Sequence, residues 1–261
     1  MKKYSLSARI GATWRYFSVL RFPFMQKYDP ENTPSPGRVL TVLFGAFLSL
    51  LSIALLFLAG KISYTAQVFC GGVIVPLLLE SICGGAGACA LASFIADRQK
   101  GISFEEALHG AYSTEKRSFS CIFLLVMIWL FRAAMICALT VCGSYYFLTA
   151  ALCGGYYVRA ELSTVKVPGG KEFFDLNDTG ENKKQYHGIV AFIIILAAAF
   201  LHSWNVTGAL IAALTAWLIA WYSISLCTET EQGMSCNAQR VTGYGTEMIL
   251  LLEGTLICFR G

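Results

Sequence analysis

The stretch VLTVLFGAFLSLLSIALLFLAG, residues 39–60, holds no charged side chain. A helix that crosses a bilayer needs about 20 apolar residues, and this run supplies them. The same pattern repeats along the chain. Residues 62–96 carry only Glu80, residues 118–158 carry only Arg132, and residues 188–227 carry nothing ionisable except His202. These four blocks supply about six or seven spans, with the last near residues 245–259. The expected fold is an all-α integral membrane protein. Residues 1–38 form a cytoplasmic or interfacial N-terminal arm, and residues 39–261 form the polytopic membrane domain.

Composition points the same way. The mean hydropathy is +0.59, with 56% hydrophobic and 14% charged residues. That is too apolar for a soluble domain of this length. Met1 to Arg38 is basic and mixed, so no cleavable signal is expected. The formal charge of +4 sits in loops, where it reads as topology and attraction to lipid headgroups, and not as a nucleic-acid patch. Cations concentrate in the N-terminal segment (Lys2, Lys3, Arg9, Arg15, Arg21, Lys27, Arg38), in 97–117 (Arg98, Lys100, Lys116, Arg117) and in 159–187 (Arg159, Lys166, Lys171, Lys183, Lys184). The opposite turns offer only Lys61, the uncharged Gly143 region and His202 to Asn205. The basic loops are therefore expected on the cytoplasmic side of the cell membrane. Polar segments converge on that face, where a site for a polar substrate could form.

Ile10, Trp14, Phe17, Ser18, Leu20, Arg21, Phe22 and Phe24 mix aromatics with cations, as an interfacial helix does. Pro23 is expected to end it, and Asp29, Pro30, Pro34 and Pro36 mark an extended link. The alternative is a disordered basic tail. Six of the ten cysteines (Cys70, Cys121, Cys137, Cys142, Cys153, Cys258) lie in apolar blocks and behave as small apolar residues. Cys83 with Cys89 makes at best a weak pair. Asp175, Asp178 and Glu181 recur every three residues, but nearby glycines favour a solvated loop over a metal site. His109 and His187 read as lone loop histidines. Arg132 and Glu80 lie deep in apolar blocks, where charge is costly and by default marks function. The plainer reading puts each at a helix end, reaching for the surface. Gly84-Gly85-Ala86-Gly87 can break the helix after Glu80, and the small residues of Cys83 to Cys89 also suit close helix packing.

Several motifs, in order along the chain, resemble the cobalamin synthases, membrane adenosylcobinamide-GDP ribazoletransferases. Leu20-Arg21-Phe22-Pro23 is similar to that family's Thr-Arg-hydrophobic-Pro signature. Arg132 falls where the family carries a basic residue in its third span. Val158-Arg159-Ala160, running on to Val167-Pro168, looks like its Ser-Arg-Ala segment. Gln232-Gly233-Met234-Ser235-Cys236-Asn237, followed by Glu247, resembles its Gly-Gly-x-Thr-Gly-Asp run and later Glu. The chain departs from the family at its hallmark. Where His-x-Asp-Gly-x-x-Asp-x-x-Asp is expected to hold magnesium, this sequence reads Glu80-Ser81-Ile82-Cys83-Gly84-Gly85-Ala86-Gly87-Ala88-Cys89.

The resemblance implies transfer of a corrinoid phosphate from adenosylcobinamide-GDP to α-ribazole or its 5′-phosphate, with release of GMP. Magnesium is the implied cofactor, taking oxygen ligands and neutralising phosphoryl charge. By this resemblance Arg159 and Glu247 are assigned to catalysis, with Arg159 touching phosphate. Arg21, Arg132, Ser235 and Asn237 are assigned to the substrate, and Glu80 with Glu247 to the metal. Asp97 and Glu161 are the other acids near that face. Two alternatives stand beside it: an inactive relative that binds a corrinoid or nucleotide, and a small-molecule transporter subunit with Arg132 and Glu80 along its pathway. The lipid bilayer is the expected partner, nucleic acid is not, and a homo-oligomer is compatible with the sequence.

Overall fold

A computed structural model describes residues 6–20, 37–110, 119–145, 147–163, 186–202, 206–228 and 235–260. Arg21, Pro23, the proline link and Asp175, Asp178 and Glu181 lie outside these residues, as do the side chains of His109 and His202. The described part is all helix, with no strand. The elements are α1 (Leu6–Phe17), α2 (Arg38–Ile62), α3 (Tyr64–Phe69), a π turn (Cys70–Ile74), α4 (Val75–Cys83), α5 (Ala86–Gln99), α6 (Phe104–Gly110), α7 (Phe119–Val141), α8 (Phe147–Leu162), α9 (Tyr186–His202), α10 (Val206–Thr228) and α11 (Cys236–Arg260).

Among the described residues, four helices are long and apolar enough to cross a membrane: Arg38–Ile62, Tyr64–Cys83, Phe119–Val141 and Thr207–Leu226, with a shorter apolar helix at Tyr186–Ala198. The outer surface is apolar, and the largely apolar core also buries a few polar and charged side chains. Leu50, Phe57, Phe123, Trp217 and Trp221 are exposed, while Arg132, Glu247, Thr140, Asn237 and Gln239 are buried. That distribution suits a hydrocarbon surround. Buried hydroxyls bond back to their own helices, as Ser52 donates to Leu48 O at 2.8 Å and Thr246 to Thr242 O at 2.7 Å. Such bonds satisfy polar groups that water cannot reach.

The local sequence sets the joints. Ser63 is extended and ends α2, while its Oγ accepts from Ala66 N at 3.0 Å to start α3. The π turn lies just before Pro76, which has no N–H to donate to the preceding turn. Gly84 and Gly85 both adopt left-handed backbone, at φ 67° and 66°, and break the rod between α4 and α5. This is the break anticipated from the glycine run.

α8 is the hub of the bundle. All its residues except Arg159 and Glu161 are buried, and it packs on α2, α9, α10 and α11. Its glycines make this possible. A Cβ on Gly155 would lie 2.7 Å from Gly243 O, and one on Gly45 of α2 would lie 2.9 Å from Leu152 O. Small residues let helix backbones approach where apolar burial gives no drive.

α1 is a helix packed on α2, with Trp14 edge-on to Phe44 and Phe47 at 5.6 and 5.8 Å. It ends at Phe17, well before Pro23, so the proline is not its terminator. Competing hydrogen bonds end it: Val19 N donates to Ile82 O at 2.9 Å, Leu20 N to Ser18 Oγ at 3.1 Å, and Trp14 Nε1 to Leu20 O at 2.9 Å. The turn therefore docks on the end of α4.

Candidate functional site

The buried charges of three helices meet at one point. Arg132, midway along α7, is 3% exposed. Its Nη1 donates to Glu80 Oε1 at 2.6 Å, and its Nη2 donates to Glu247 Oε1. The Tyr244 hydroxyl donates to the same Glu80 oxygen at 2.7 Å, and the guanidinium lies over the Tyr244 ring at 5.2 Å. Arg132 therefore does not reach for the surface; it bridges two carboxylates inside the bundle. A guanidinium offers donors in a fixed fork that suits this geometry.

Backbone packing places each member. Glu80 sits just before the Gly84–Gly85 corner. Gly87 then lets α5 close on α11, since a Cβ there would be 2.6 Å from Tyr244 Cδ2. Gly155 presses against Glu247, with its notional Cβ 3.3 Å from Glu247 Cβ. Arg240, Tyr244 and Glu247 fall at i, i+4 and i+7, one face of α11.

Above this network lies a cleft of about 290 Å³. Its walls are Arg15 to Val19 from the end of α1, the Gly84–Gly87 corner, Leu152, Tyr156 and Arg159 of α8, and Gln239, Arg240, Tyr244 and Glu247 of α11. Among the described residues, four arginines (Arg15, Arg132, Arg159, Arg240) and two carboxylates (Glu80, Glu247) line it. Arg159 is the key member. Its side chain crosses α11 at Gly243, where any Cβ would collide with its Cγ and Nε. Its guanidinium lies over the Tyr156 ring at 4.7 Å. Its Nε is buried and has no hydrogen-bond partner among the described residues. A buried donor without a partner is costly. The Tyr156 hydroxyl is 3.4 Å from Cys83 Sγ on the opposite wall.

Of the residues singled out from sequence, Arg132, Glu80, Glu247 and Arg159 are brought together, while Arg21 lies outside the described residues. Ser235 and Asn237 do not line the cleft. Ser235 caps α11, its Oγ accepting from Ala238 N at 3.0 Å, and Asn237 Nδ2 donates to Leu108 O at 3.1 Å, tying α6 to α11. His187 is not a lone loop histidine. It is buried in α9 with Nε2 3.0 Å from Glu161 Oε1, near enough for an ion pair although Nε2 forms no hydrogen bond. The antiparallel course of α8 and α9 joins two residues that local spacing could not link. Arg15, Arg240, Tyr156 and Tyr244 were not recognised as cleft residues. A signal existed for the α11 pair, since Arg240 and Tyr244 share a helical face with Glu247, but none for Arg15.

Magnesium requires several oxygen ligands around an open position. Glu80 and Glu247 do come together, but both direct Oε1 at one guanidinium. Asp97 is 3.7 Å from Lys100, and Glu161 is with His187. Among the described residues no three of His, Cys, Asp or Glu gather as a metal site. These carboxylates do not fit the magnesium that the resemblance implies.

Compared with family models, curated proteins and solved structures, the chain matches none. Fold and site together define an all-helical membrane protein with a buried Glu–Arg–Glu bridge beneath an arginine-lined cleft.

Proposed function

We propose that the chain is a cobalamin synthase-like membrane protein that binds the phosphate-bearing part of a corrinoid or nucleotide in this cleft, at the cytoplasmic rim of the cell membrane. One observation carries the proposal: Arg159 is held over Tyr156 and against Gly243, in a cleft that Arg15, Arg132 and Arg240 also line. Guanidinium groups recognise phosphate through paired N–H donors. Binding is supported ahead of ribazole transfer, because the two carboxylates available for a metal are engaged by Arg132.

The test is calorimetric titration of the purified protein in detergent with adenosylcobinamide-GDP and with GDP. Saturable binding that weakens about 10-fold or more in Arg159→Ala is expected, from the loss of a charged hydrogen bond. No binding of either ligand would refute the proposal. Adding α-ribazole and magnesium tests transfer directly. GMP release that EDTA abolishes would restore the transferase reading. The transporter alternative has one observation in its favour, that Arg132 and Glu80 both face the bundle interior. It predicts ligand uptake into proteoliposomes, where a binding protein gives none.

A further inference from the structure

We propose that the cleft recognises phosphate without a divalent metal, with Arg132 serving as a built-in cation between the two carboxylates that could otherwise hold one. This rests on the phosphate-binding reading above and adds the means of recognition. One oxygen of each carboxylate, Oε1 of Glu80 and Oε1 of Glu247, is already engaged. Those oxygens accept from Nη1 and Nη2 of a single guanidinium that is 3% exposed. The Tyr244 hydroxyl occupies Glu80 Oε1 as well. Displacing Arg132 would strand its charge in the bundle, against the Tyr244 ring.

The remaining arginines supply what a bound metal usually supplies to a phosphate, positive charge and fixed geometry. Arg15, Arg159 and Arg240 line the walls from three different helices, and guanidinium groups suit a phosphate monoester or a diphosphate. The volume of about 290 Å³ is at the small end for a ligand pocket. It holds the phosphate groups, with the rest of the ligand at the mouth.

A metal clamp and an arginine clamp predict opposite effects of the same substitution. In an arginine site, Glu247 offsets part of the positive charge, so Glu247→Gln makes the cleft more cationic and strengthens phosphate binding. In a metal site, Glu247→Gln removes a ligand and binding is lost. The experiment titrates the detergent-solubilised full chain with GDP and with inorganic pyrophosphate, in EDTA and in magnesium. Mn²⁺ binding is followed in parallel by electron paramagnetic resonance.

The expected result is equal affinity in both buffers within twofold, no Mn²⁺ site in the free protein, and unchanged or several-fold tighter binding by Glu247→Gln. Binding that requires magnesium overturns the inference while leaving the phosphate-binding reading intact. So does a Mn²⁺ site lost in Glu80→Gln and Glu247→Gln. Failure of GDP and pyrophosphate to bind in either buffer overturns both.

Discussion

Replacing Arg132 by methionine separates a bridging arginine from an ordinary buried cation. Methionine keeps the length and apolar bulk of the stem, so packing changes little. What it removes is the positive charge between Glu80 and Glu247, whose side chains are 13% and 5% exposed. Two carboxylates then face each other with no counter-ion, and breaking a buried pair in this way costs about 3–5 kcal/mol. At about 2–4 °C per kcal/mol for a chain of this size, the melting temperature falls by about 6–20 °C. Glu247→Gln is the matched control. The amide oxygen still accepts from Nη2 and Arg132 still pairs with Glu80, so the loss is about 1 kcal/mol, or about 2–4 °C. Thermal unfolding followed by circular dichroism in one detergent measures both. An Arg132→Met protein melting within about 2 °C of wild type, or no lower than Glu247→Gln, would refute the bridge.

Gly155→Leu places a side chain against Gly243 O and Glu247. It should lower stability by about 1–3 kcal/mol through overpacking, which thermal melting reports. Gly84→Ala puts a Cβ on a left-handed backbone and into Val19 Cγ1. It should cost about 1–2 kcal/mol and undock the turn after α1, seen as faster tryptic cleavage after Arg15. Trp14→Phe keeps ring packing against Phe44 and Phe47 but loses the indole bond to Leu20 O. A loss of about 1 kcal/mol is expected, with tryptophan fluorescence of the remaining residues unchanged.

The fold was legible where hydrocarbon imposes a simple rule. Long runs almost free of charge read as membrane helices, so the residues of α2, α7 and α10 could be marked out from the scarcity of charge, and the Gly84–Gly85 corner was visible because paired glycines accept left-handed backbone that other residues avoid. The end of α1 was not, because Pro23 is a strong local signal, whereas the contact that turns the chain, Val19 N to Ile82 O, joins residues far apart in sequence. The burial of α8 was equally hidden. The fit of Gly154 and Gly155 against α10 and α11 shows that it is central.

For the site, the sequence by itself determined that Arg132 and Glu80 are anomalous, since an isolated charge in an apolar run needs a reason. It could not pair them. Arg132 and Glu80 are separated by 52 positions, and Arg132 and Glu247 by 115. Their meeting depends on the angles at which α4, α7 and α11 cross, which glycine contacts set. Tertiary structure alone also decided the state of the two carboxylates. In sequence they are acids available to a metal. In the folded protein their facing oxygens are occupied by a guanidinium, because a buried positive charge takes the nearest negative partners available. The same packing leaves Arg159, against the Tyr156 ring and Gly243, lining the cleft.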